Sequence, residues 1–331
     1  MDGLCVKILE NYEIDVISIK KTKGYYVINT AQASYVLRKT SDSEERALLR
    51  YQIQETLLKN DFLDIEKIYK TRDNNLFVSE DGQKYILNDY IMGREADFDD
   101  IDDLSKILCK LAKFHQSAKS LDIVPKQFYA DDLNARLTKM LSELSAFRKK
   151  ITTSKSLSNF DLLFLKNYEY YEKKISTSAM LLDKANYPKK LEEAYSENSI
   201  CHNNLKKETL MIKDNEVSIA MLSGISVDHF SADIAMIINK YMKYSSNRQI
   251  NILDIIDMYS NAGNNKLDAD DLNIVLARLL IPTVFLGASK EYYMKKRSWA
   301  PSVLTADLEQ EINSRETFLE YIEPLVALSR P

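Results

Sequence analysis

The segment Ser199–Gly224 constrains the fold more than any other stretch of this chain. It contains the apolar run Leu210–Ile212, the polar tetrapeptide Lys213–Glu216 and a second short apolar run that leads to the glycine. Two short apolar runs on either side of a turn with Asp and Asn are typical of a β-hairpin. The segment therefore predicts a loop with His202, a strand, a tight turn and a second strand.

The composition limits the partners that the protein can have. The chain has 331 residues, which is long for one minimal domain and fits two lobes or domains. A hydrophobic content of 45% and a charged content of 28% are ordinary for a globular protein, and the net charge is -4. We therefore expect no nucleic-acid partner. No apolar run approaches the roughly 18 residues that span a bilayer, so we expect no membrane partner.

Common metal and nucleotide motifs are missing from the sequence. Three cysteines and three histidines are scattered, without the spacing of a zinc site or a disulfide framework, so we expect no metal site. The chain has seven glycines and neither of the usual glycine-rich phosphate-binding motifs. The N-terminus lacks the basic and apolar regions of a signal peptide. These features predict synthesis in a reducing cytoplasm.

Residues 1–92 are predicted to form a small N-lobe of mixed β and α structure. β-Branched and aromatic residues predict strands at 15–19, 25–30, 34–39, 65–69, 76–79 and 84–87. Ser41 and Glu44 have the spacing of a capping box, which predicts a helix from there to about Lys59. Gly93 follows and is predicted to be the hinge to a second lobe.

Residues 93–331 are predicted to form a large, mainly helical C-lobe around the hairpin at 199–224. A strong amphipathic helix is indicated by apolar residues at helical spacing, namely Ile101, Leu104, Leu108, Leu111 and His115. Further helices are predicted at 133–151, 161–182, from 187, from 231, and at 272–280, 282–295 and 305–329. The predicted fold class is α+β.

Several segments together resemble one protein family. They are Asn88–Glu95 with its Ile-x-Gly-Arg-Glu, Leu111–His115, Tyr187–His202, the Asp233/Ala235 pair and Pro282–Trp299. In this order they resemble the spore-coat kinase-like proteins of endospore-forming bacteria (the CotS type), within the aminoglycoside and choline phosphotransferase superfamily. The resemblance covers about residues 10 to 325 and implies a protein-kinase-like two-lobed fold.

The chain departs from this family at the positions that carry the chemistry. The resemblance places the catalytic Asp on Asn204, the metal-binding Asn on Thr209, and the two acidic positions of the following strand on Met221 and Ser223. An amide cannot take a proton as a carboxylate base does, and a thioether is a poor ligand for Mg²⁺. We therefore predict no intact catalytic residue and no metal. ATP and Mg²⁺ are expected only if the cleft still functions.

The resemblance also implies a nucleotide side of the cleft. The cation that pairs with phosphate falls on Arg38 or on Lys39 beside it, with Glu45 as a weaker candidate for its ion-pair partner. The hinge that would contact a nucleotide falls on Asp89, Tyr90 and Ile91.

Some of these residues have plainer interpretations. We expect His202 to be a packed loop histidine held by backbone hydrogen bonds and His115 to be a core histidine, whereas His229 is expected in a loop or at the surface. Aromatic residues near the C-terminus are expected to pack the last helices, namely Tyr292, Tyr293 and Trp299.

Three functions stay open on the sequence alone. The leading hypothesis is a catalytically degenerate kinase-fold protein (a pseudokinase) with a structural or assembly role, made in the mother cell and deposited on the spore coat, with coat or other proteins as partners. The second is an active small-molecule phosphotransferase that uses a shifted set of acids, Asp214, Glu216 and Asp228. The third is a sensor that binds a nucleotide without turnover, or a small molecule in a groove of the helical C-lobe.

Overall fold

The structure is a computed structural model that describes residues 3–121, 124–245, 250–263, 266–294 and 301–328. A β-sheet with two helices forms the N-terminal part, and helices dominate the rest of the chain. This arrangement confirms the predicted α+β class, with a small mixed β/α N-lobe and a large, mainly helical C-lobe.

The N-lobe sheet consists of β1 (Ser18–Lys21), β2 (Tyr25–Asn29), β3 (Ser34–Thr40), β4 (Ile68–Tyr69), β5 (Val78–Glu80) and β6 (Gln83–Asp89). The strand order is β1-β2-β3-β6-β4, β5 also pairs with β6, and every pairing is antiparallel. Side chains alternate between the two faces of a strand, so the paired residues Leu37 and Leu87 lie on the same face. This face packs against helix α1 (Gly3–Leu9) through Cys5 and Ile8.

The helices of the N-lobe differ from the prediction in two details. Helix α2 (Glu44–Lys59) begins after Ser43, whose hydroxyl accepts a hydrogen bond from the Arg46 N–H at 3.3 Å. The predicted cap at Ser41 is wrong because strand β3 runs on to Thr40, so the chain turns into the helix two residues later. Helix α1 was not predicted, since a single run of seven residues is too short to show a helical period.

The described part of the C-lobe contains the helices α3 (Ile101–Ser117), α4 (Leu133–Thr152), α5 (Asn159–Lys184), α6 (Tyr187–Ser196), α7 (Ser231–Tyr244), α8 (Ile252–Gly263), α9 (Ala269–Leu279), α10 (Thr283–Tyr293), α11 (Pro301–Asn313), α12 (Arg315–Tyr321) and α13 (Glu323–Leu328). Helix α3 packs along α8, α4 along α5, and both α5 and α7 along α9. The predicted apolar face of α3 is confirmed, because Leu104, Leu108 and Leu111 are buried.

Two short sheets lie in the C-lobe, and one of them includes the strand that directly follows the hinge glycine. Their strands are β7 (Arg94–Glu95), β8 (Ile200–Cys201), β9 (Leu210–Lys213), β10 (Glu216–Ile219) and β11 (Ser226–Val227). One sheet has the order β10-β9-β7, and β11 pairs with β8 in the other. The predicted hairpin is β9–β10, and it turns at Asp214 and Asn215, which both have positive φ as a two-residue hairpin turn requires.

Aromatic packing closes the C-terminal part of the lobe. The rings of Phe160 and Tyr292 are stacked with centroids 4.1 Å apart, and Tyr293 donates its hydroxyl proton to Asp161 at 2.8 Å. The expectation that Tyr292 and Tyr293 pack the last helices is confirmed. Trp299 lies outside the described residues.

One segment, Ala269–Tyr293, contradicts the expectation that no run is apolar enough to span a bilayer. Its length and composition satisfy that criterion, but it comprises two helices, α9 and α10, with Pro282 between them. The apolar window is 67% buried inside the protein. Burial in a core selects the same apolar residues as lipid does, so the segment is weak evidence for a membrane span.

Gly93 stands at the predicted boundary between the lobes, immediately before β7, which pairs with β9 of the C-lobe. A Cβ atom at this position would lie 2.7 Å from the Ile212 carbonyl oxygen, so the backbones approach too closely for any side chain. The division at residues 92 and 93 itself stays a prediction.

We expect Gly93→Ala to destabilise the protein by about 1–3 kcal/mol, because the added methyl group forces two backbone segments apart. Urea unfolding measures this change. Gly287→Ala is the matched control: a Cβ there meets nothing within 4 Å, and the substitution lies inside helix α10. The control should stabilise by about 0.5–1 kcal/mol. Equal effects of the two substitutions would show that the hinge tolerates a side chain.

Candidate functional site

The loop after β8 contains His202, whose buried ring forms hydrogen bonds with two backbone groups. The His202 side chain is fully buried, and its Nε2 lies 3.0 Å from the Ala220 carbonyl oxygen. Its Nδ1 accepts the Asn204 N–H at 3.2 Å, which fits a neutral ring with the proton on Nε2. Burial lowers the pKa of His202, so the neutral form is favoured. The prediction of a packed loop histidine is confirmed.

Asp233, in the first turn of α7, holds the same loop by accepting hydrogen bonds from its backbone. Its carboxylate accepts the N–H groups of His202 at 2.6 Å and Asn203 at 2.8 Å, and His115 Nε2 lies 2.9 Å from it. Burial acts to raise the pKa of Asp233, but the hydrogen bonds from the His115 ring and from the His202 N–H hold it below its usual value. His115 also contacts the Tyr259 hydroxyl at 2.7 Å, which confirms it as a satisfied core histidine.

His115, Cys201 and Asp233 form a buried group whose potential ligand atoms lie within 4.8 Å of one another. The ring and the carboxylate are already engaged as described, and Cys201 Sγ lies 3.4 Å from the carbonyl oxygens of Asp228 and His229. Burial raises the pKa of the Cys201 thiol, which disfavours the thiolate that binds metals. The donor set therefore does not fit a metal ion.

The predicted catalytic-loop positions come together in the structure. Asn204 Nδ2 donates to the Ser223 hydroxyl at 3.4 Å, so the loop and the strand positions are adjacent. Thr209 is fully buried, and its hydroxyl lies 3.0 Å from the carbonyl oxygens of Asn204 and Lys206 and 2.8 Å from the Lys206 N–H. The Thr209 hydroxyl is thus used to close the loop.

Met221 has a left-handed backbone with φ of 57° and connects this site to the N-lobe. Its N–H donates to Glu66 Oε2 at 2.8 Å, and Glu66 Oε1 forms an ion pair with Arg38. Glu66 is 3% exposed. One carboxylate therefore bridges the β3 cation and Met221, which follows the end of β10 and is the position where the resemblance places a metal-binding Asp.

Glu66 is the functional residue that sequence analysis missed. The suggested ion pair between Arg38 and Glu45 is wrong, because Glu45 lies exposed in the first turn of α2 and hydrogen-bonds to Ser43, which lowers its pKa. The sequence feature that could have indicated Glu66 is its position as a charged residue beside the buried Ile65, just before strand β4.

Lys39 lies on the other side of the sheet from Arg38. It is exposed, and its Nζ lies 5.9 Å from the centroid of the buried Tyr85 ring. Neighbouring residues of a strand point to opposite faces, so only one of them can face the cleft. The ion pair with Glu66 identifies Arg38 as the cleft-side cation.

The segment after Met221 is packed tightly onto the loop. A Cβ on Gly224 would lie 2.7 Å from the His202 carbonyl oxygen and 2.9 Å from Asn204 Cβ. Arg46 of α2 donates to the carbonyl oxygens of Ser223 and Ile225, each at 3.3 Å. The N-lobe helix is thus joined directly to the segment that follows Met221, a contact that the sequence did not indicate.

The three hinge residues face different surroundings. The Asp89 carboxylate accepts the Tyr69 hydroxyl at 2.6 Å and the Lys67 N–H at 3.1 Å, so it is used within the N-lobe. Tyr90 is 38% exposed, and its N–H donates to the Ser34 carbonyl oxygen at 3.0 Å. Ile91 is half-buried. Their contact with a nucleotide stays a prediction.

Comparison with known proteins identifies the family. The family described as spore coat putative kinase YutH matches residues 6–324. The chain belongs to this spore coat putative kinase family. Spore coat protein S of Bacillus subtilis (strain 168) is 21% identical to this family member over 328 residues, which cover 95% of this chain and 92% of that protein. The resemblance suggested by the sequence motifs is confirmed.

Solved structures show which fold this spore coat putative kinase has. An aminoglycoside phosphotransferase from Alicyclobacillus acidocaldarius has a TM-score of 0.84 at 14% identity, covering 98% of this chain and 96% of that one. Spectinomycin phosphotransferase APH(9)-Ia, in complex with ADP and spectinomycin, has a TM-score of 0.60 at 13% identity, covering 98% and 97%. These matches confirm the predicted protein-kinase-like two-lobed fold.

Two of the three acids of the shifted-site hypothesis, Glu216 and Asp228, form ion pairs with other residues. Asp214 is in the hairpin turn, and Glu216 Oε2 is 3.0 Å from Lys110 Nζ. Asp228 is 4% exposed and accepts from Arg278 at 2.7 Å and from the His229 N–H at 2.7 Å. Because the carboxylates of Glu216 and Asp228 are already paired with cations, this geometry does not favour a shifted catalytic set.

His229 is in a loop, as expected, but the alternative of a surface position is wrong. It is 3% exposed, its Nδ1 lies 2.8 Å from the Ser231 hydroxyl, and its Nε2 lies 3.2 Å from Asp271. Burial lowers the pKa of His229. The loop is buried because α9 supplies polar partners for it. These partners are distant in sequence, so the sequence pattern around His229 does not indicate them.

Proposed function

We propose that this protein is a kinase-fold protein without phosphoryl transfer that acts as a structural or assembly component of the spore coat. Membership of a spore coat family and the similarity to spore coat protein S support the coat association. Synthesis in the mother-cell cytoplasm followed by deposition on the coat, with coat or other proteins as partners, belongs to the same proposal.

The observation that carries this proposal is that the oxygen atoms near Met221 are already engaged in hydrogen bonds or an ion pair within the protein. Phosphoryl transfer needs Mg²⁺ on hard oxygen ligands and a base for the acceptor hydroxyl. The Thr209 hydroxyl is buried and closes the loop, while Met221 supplies a thioether. The carboxylate that reaches Met221, Glu66, has one oxygen on Arg38 and the other on the Met221 N–H. These residues do not fit Mg²⁺.

The Glu66 carboxylate is also the ion-pair partner of Arg38, the cation on β3. In an active site of this kind a cation pairs with nucleotide phosphates. Here Arg38 pairs with the buried Glu66, as the phosphate-pairing lysine of an active protein kinase pairs with a glutamate. The ion pair is therefore compatible with phosphate binding, and the proposal rests on the residues that do not fit Mg²⁺.

Complementation in an endospore-forming host tests this function. Deletion of the native gene is expected to change the set of proteins extracted from the spore coat, and a fluorescent fusion is expected to encircle the spore. Asn204→Ala should complement as well as the natural sequence, because its side chain makes only a 3.4 Å contact with Ser223. Loss of complementation by this variant at normal protein level would contradict the proposal, as would an unchanged coat after deletion.

A further inference from the structure

A cavity of about 320 Å³ lies between helices α5, α12 and α13 of the C-lobe. None of the cleft residues described above is among its lining residues. Its lining includes the cations Lys173, Lys174 and Arg315 and the apolar side chains of Leu280, Leu319 and Val326. A cavity lined by both charged and apolar side chains fits an amphiphilic small molecule.

The charges around this cavity favour an anion with one negative charge. Three cations line it, opposed by Glu323 at the exposed rim and by Glu311, which interacts electrostatically with Lys174. These five groups leave an excess of one positive charge when all are ionised. Lys174 is 8% exposed, and burial lowers its pKa to about 8, so an anion beside it would stabilise its charged form.

Two buried polar atoms lie at this cavity. Among the described residues, no atom stands in full hydrogen-bond geometry to the Tyr170 hydroxyl oxygen or to Arg315 Nε. The Arg315 guanidinium lies over the Tyr170 ring, with Cζ 3.8 Å from the centroid, so the pair is held by stacking. Most buried polar atoms are hydrogen-bonded, so two such atoms at the edge of a cavity are suited to a ligand that accepts or donates hydrogen bonds there.

We propose that this cavity binds a small carboxylate with a compact apolar or aromatic body. The carboxylate accepts hydrogen bonds from Arg315 and the Tyr170 hydroxyl, with Lys174 nearby, and the apolar body lies against Leu319 and Val326. A guanidinium presents parallel N–H donors that match a carboxylate. This site goes beyond the proposed coat function and does not depend on it.

Fluorine NMR of the full chain with 4-fluorobenzoate tests this site, and neutral 4-fluorobenzamide is the isosteric control. We expect saturable binding of the benzoate and at least about tenfold weaker binding of the amide, because charge-assisted hydrogen bonds are lost. Arg315→Gln should weaken benzoate binding by about tenfold or more, and Tyr170→Phe by a few-fold while keeping the ring. Lys166→Gln, an exposed position on the same helix α5, removes a charge and should have no effect.

Chemical labelling locates the bound probe independently of stability. Acetylation of Lys174, followed by mass spectrometry, should slow when benzoate is present, whereas acetylation of Lys166 should not change. Absence of saturable benzoate binding, equal binding of the amide, or binding unaffected by Arg315→Gln would each overturn the proposal. Tighter binding of inorganic phosphate than of benzoate would also overturn it, because it would leave the apolar lining residues without a role.

Discussion

Replacing Asp233 by alanine is expected to destabilise the protein by about 3–5 kcal/mol, one of the largest effects of any single substitution. The carboxylate is fully buried and accepts from two loop N–H groups and from the His115 ring. Its removal leaves these donors buried without an acceptor, which costs far more than the loss of a surface charge. Urea unfolding followed by circular dichroism measures the change.

The pH dependence of this effect follows from the lowered pKa of Asp233. A carboxylate with a depressed pKa in the folded state contributes its stability above the unfolded pKa of about 3.9, and that stability is lost as the pH falls through the folded pKa. The difference between wild type and Asp233→Ala should therefore be constant from neutral pH to about pH 5 and decrease in more acidic solution. The exposed Asp257→Ala is the control and should stay within about 0.5 kcal/mol of wild type. A small effect of Asp233→Ala would mean that the carboxylate does not anchor the loop.

Arg278→Met is expected to cost about 3–5 kcal/mol as well, because it leaves the buried Asp228 carboxylate without its counterion. Arg278 donates to Asp228 at 2.7 Å and to the Ser231 hydroxyl at 2.9 Å, and both partners are buried. The pair joins α9 to the loop that precedes α7, so the substitution should also loosen the packing of these helices. Thermal and urea unfolding measure the loss.

A double variant separates the buried charge from the lost packing. Arg278→Met combined with Asp228→Asn removes both charges while the new amide oxygen still accepts the His229 N–H. This variant should recover a large part of the stability, since neutral replacements of a buried ion pair are often tolerated. Arg136→Met, at an exposed position on α4, controls for the change of residue type. Equal stability of the single and the double variants would show that packing, not charge, causes the loss.

Local patterns predicted the helices and the hairpin because each of these elements carries its own signal. The apolar period of α3 and the turn at Asp214 and Asn215 depend only on neighbouring residues. The helix cap at Ser43 was missed by two residues, since the end of β3 is fixed by pairing with β6, which lies more than forty residues further along the chain. Ends of elements depend on tertiary contacts, and a single sequence does not contain them.

The site residues were predictable only where the family motifs could be aligned with this sequence position by position. Asn204 and Ser223 were expected to share a site, and the structure places their side chains in contact. Glu66 was not found, because its partners Arg38 and Met221 are 28 and 155 residues away in sequence. Pairing across such separations is decided by the fold, and neither spacing nor periodicity reports it.

We propose that the kinase cleft of this protein persists without the groups that bind Mg²⁺ and transfer a phosphoryl group. Calorimetric titration of ATP into the protein, with and without Mg²⁺, tests it most directly, and the triple variant Asn204→Asp/Thr209→Asn/Met221→Asp is the matched comparison. We predict no Mg²⁺-dependent ATP binding by the natural sequence and its appearance in the triple variant, whose carboxylates supply oxygen ligands. Mg²⁺-dependent ATP binding by the natural sequence, accompanied by transfer of phosphate to a small molecule, would contradict the claim.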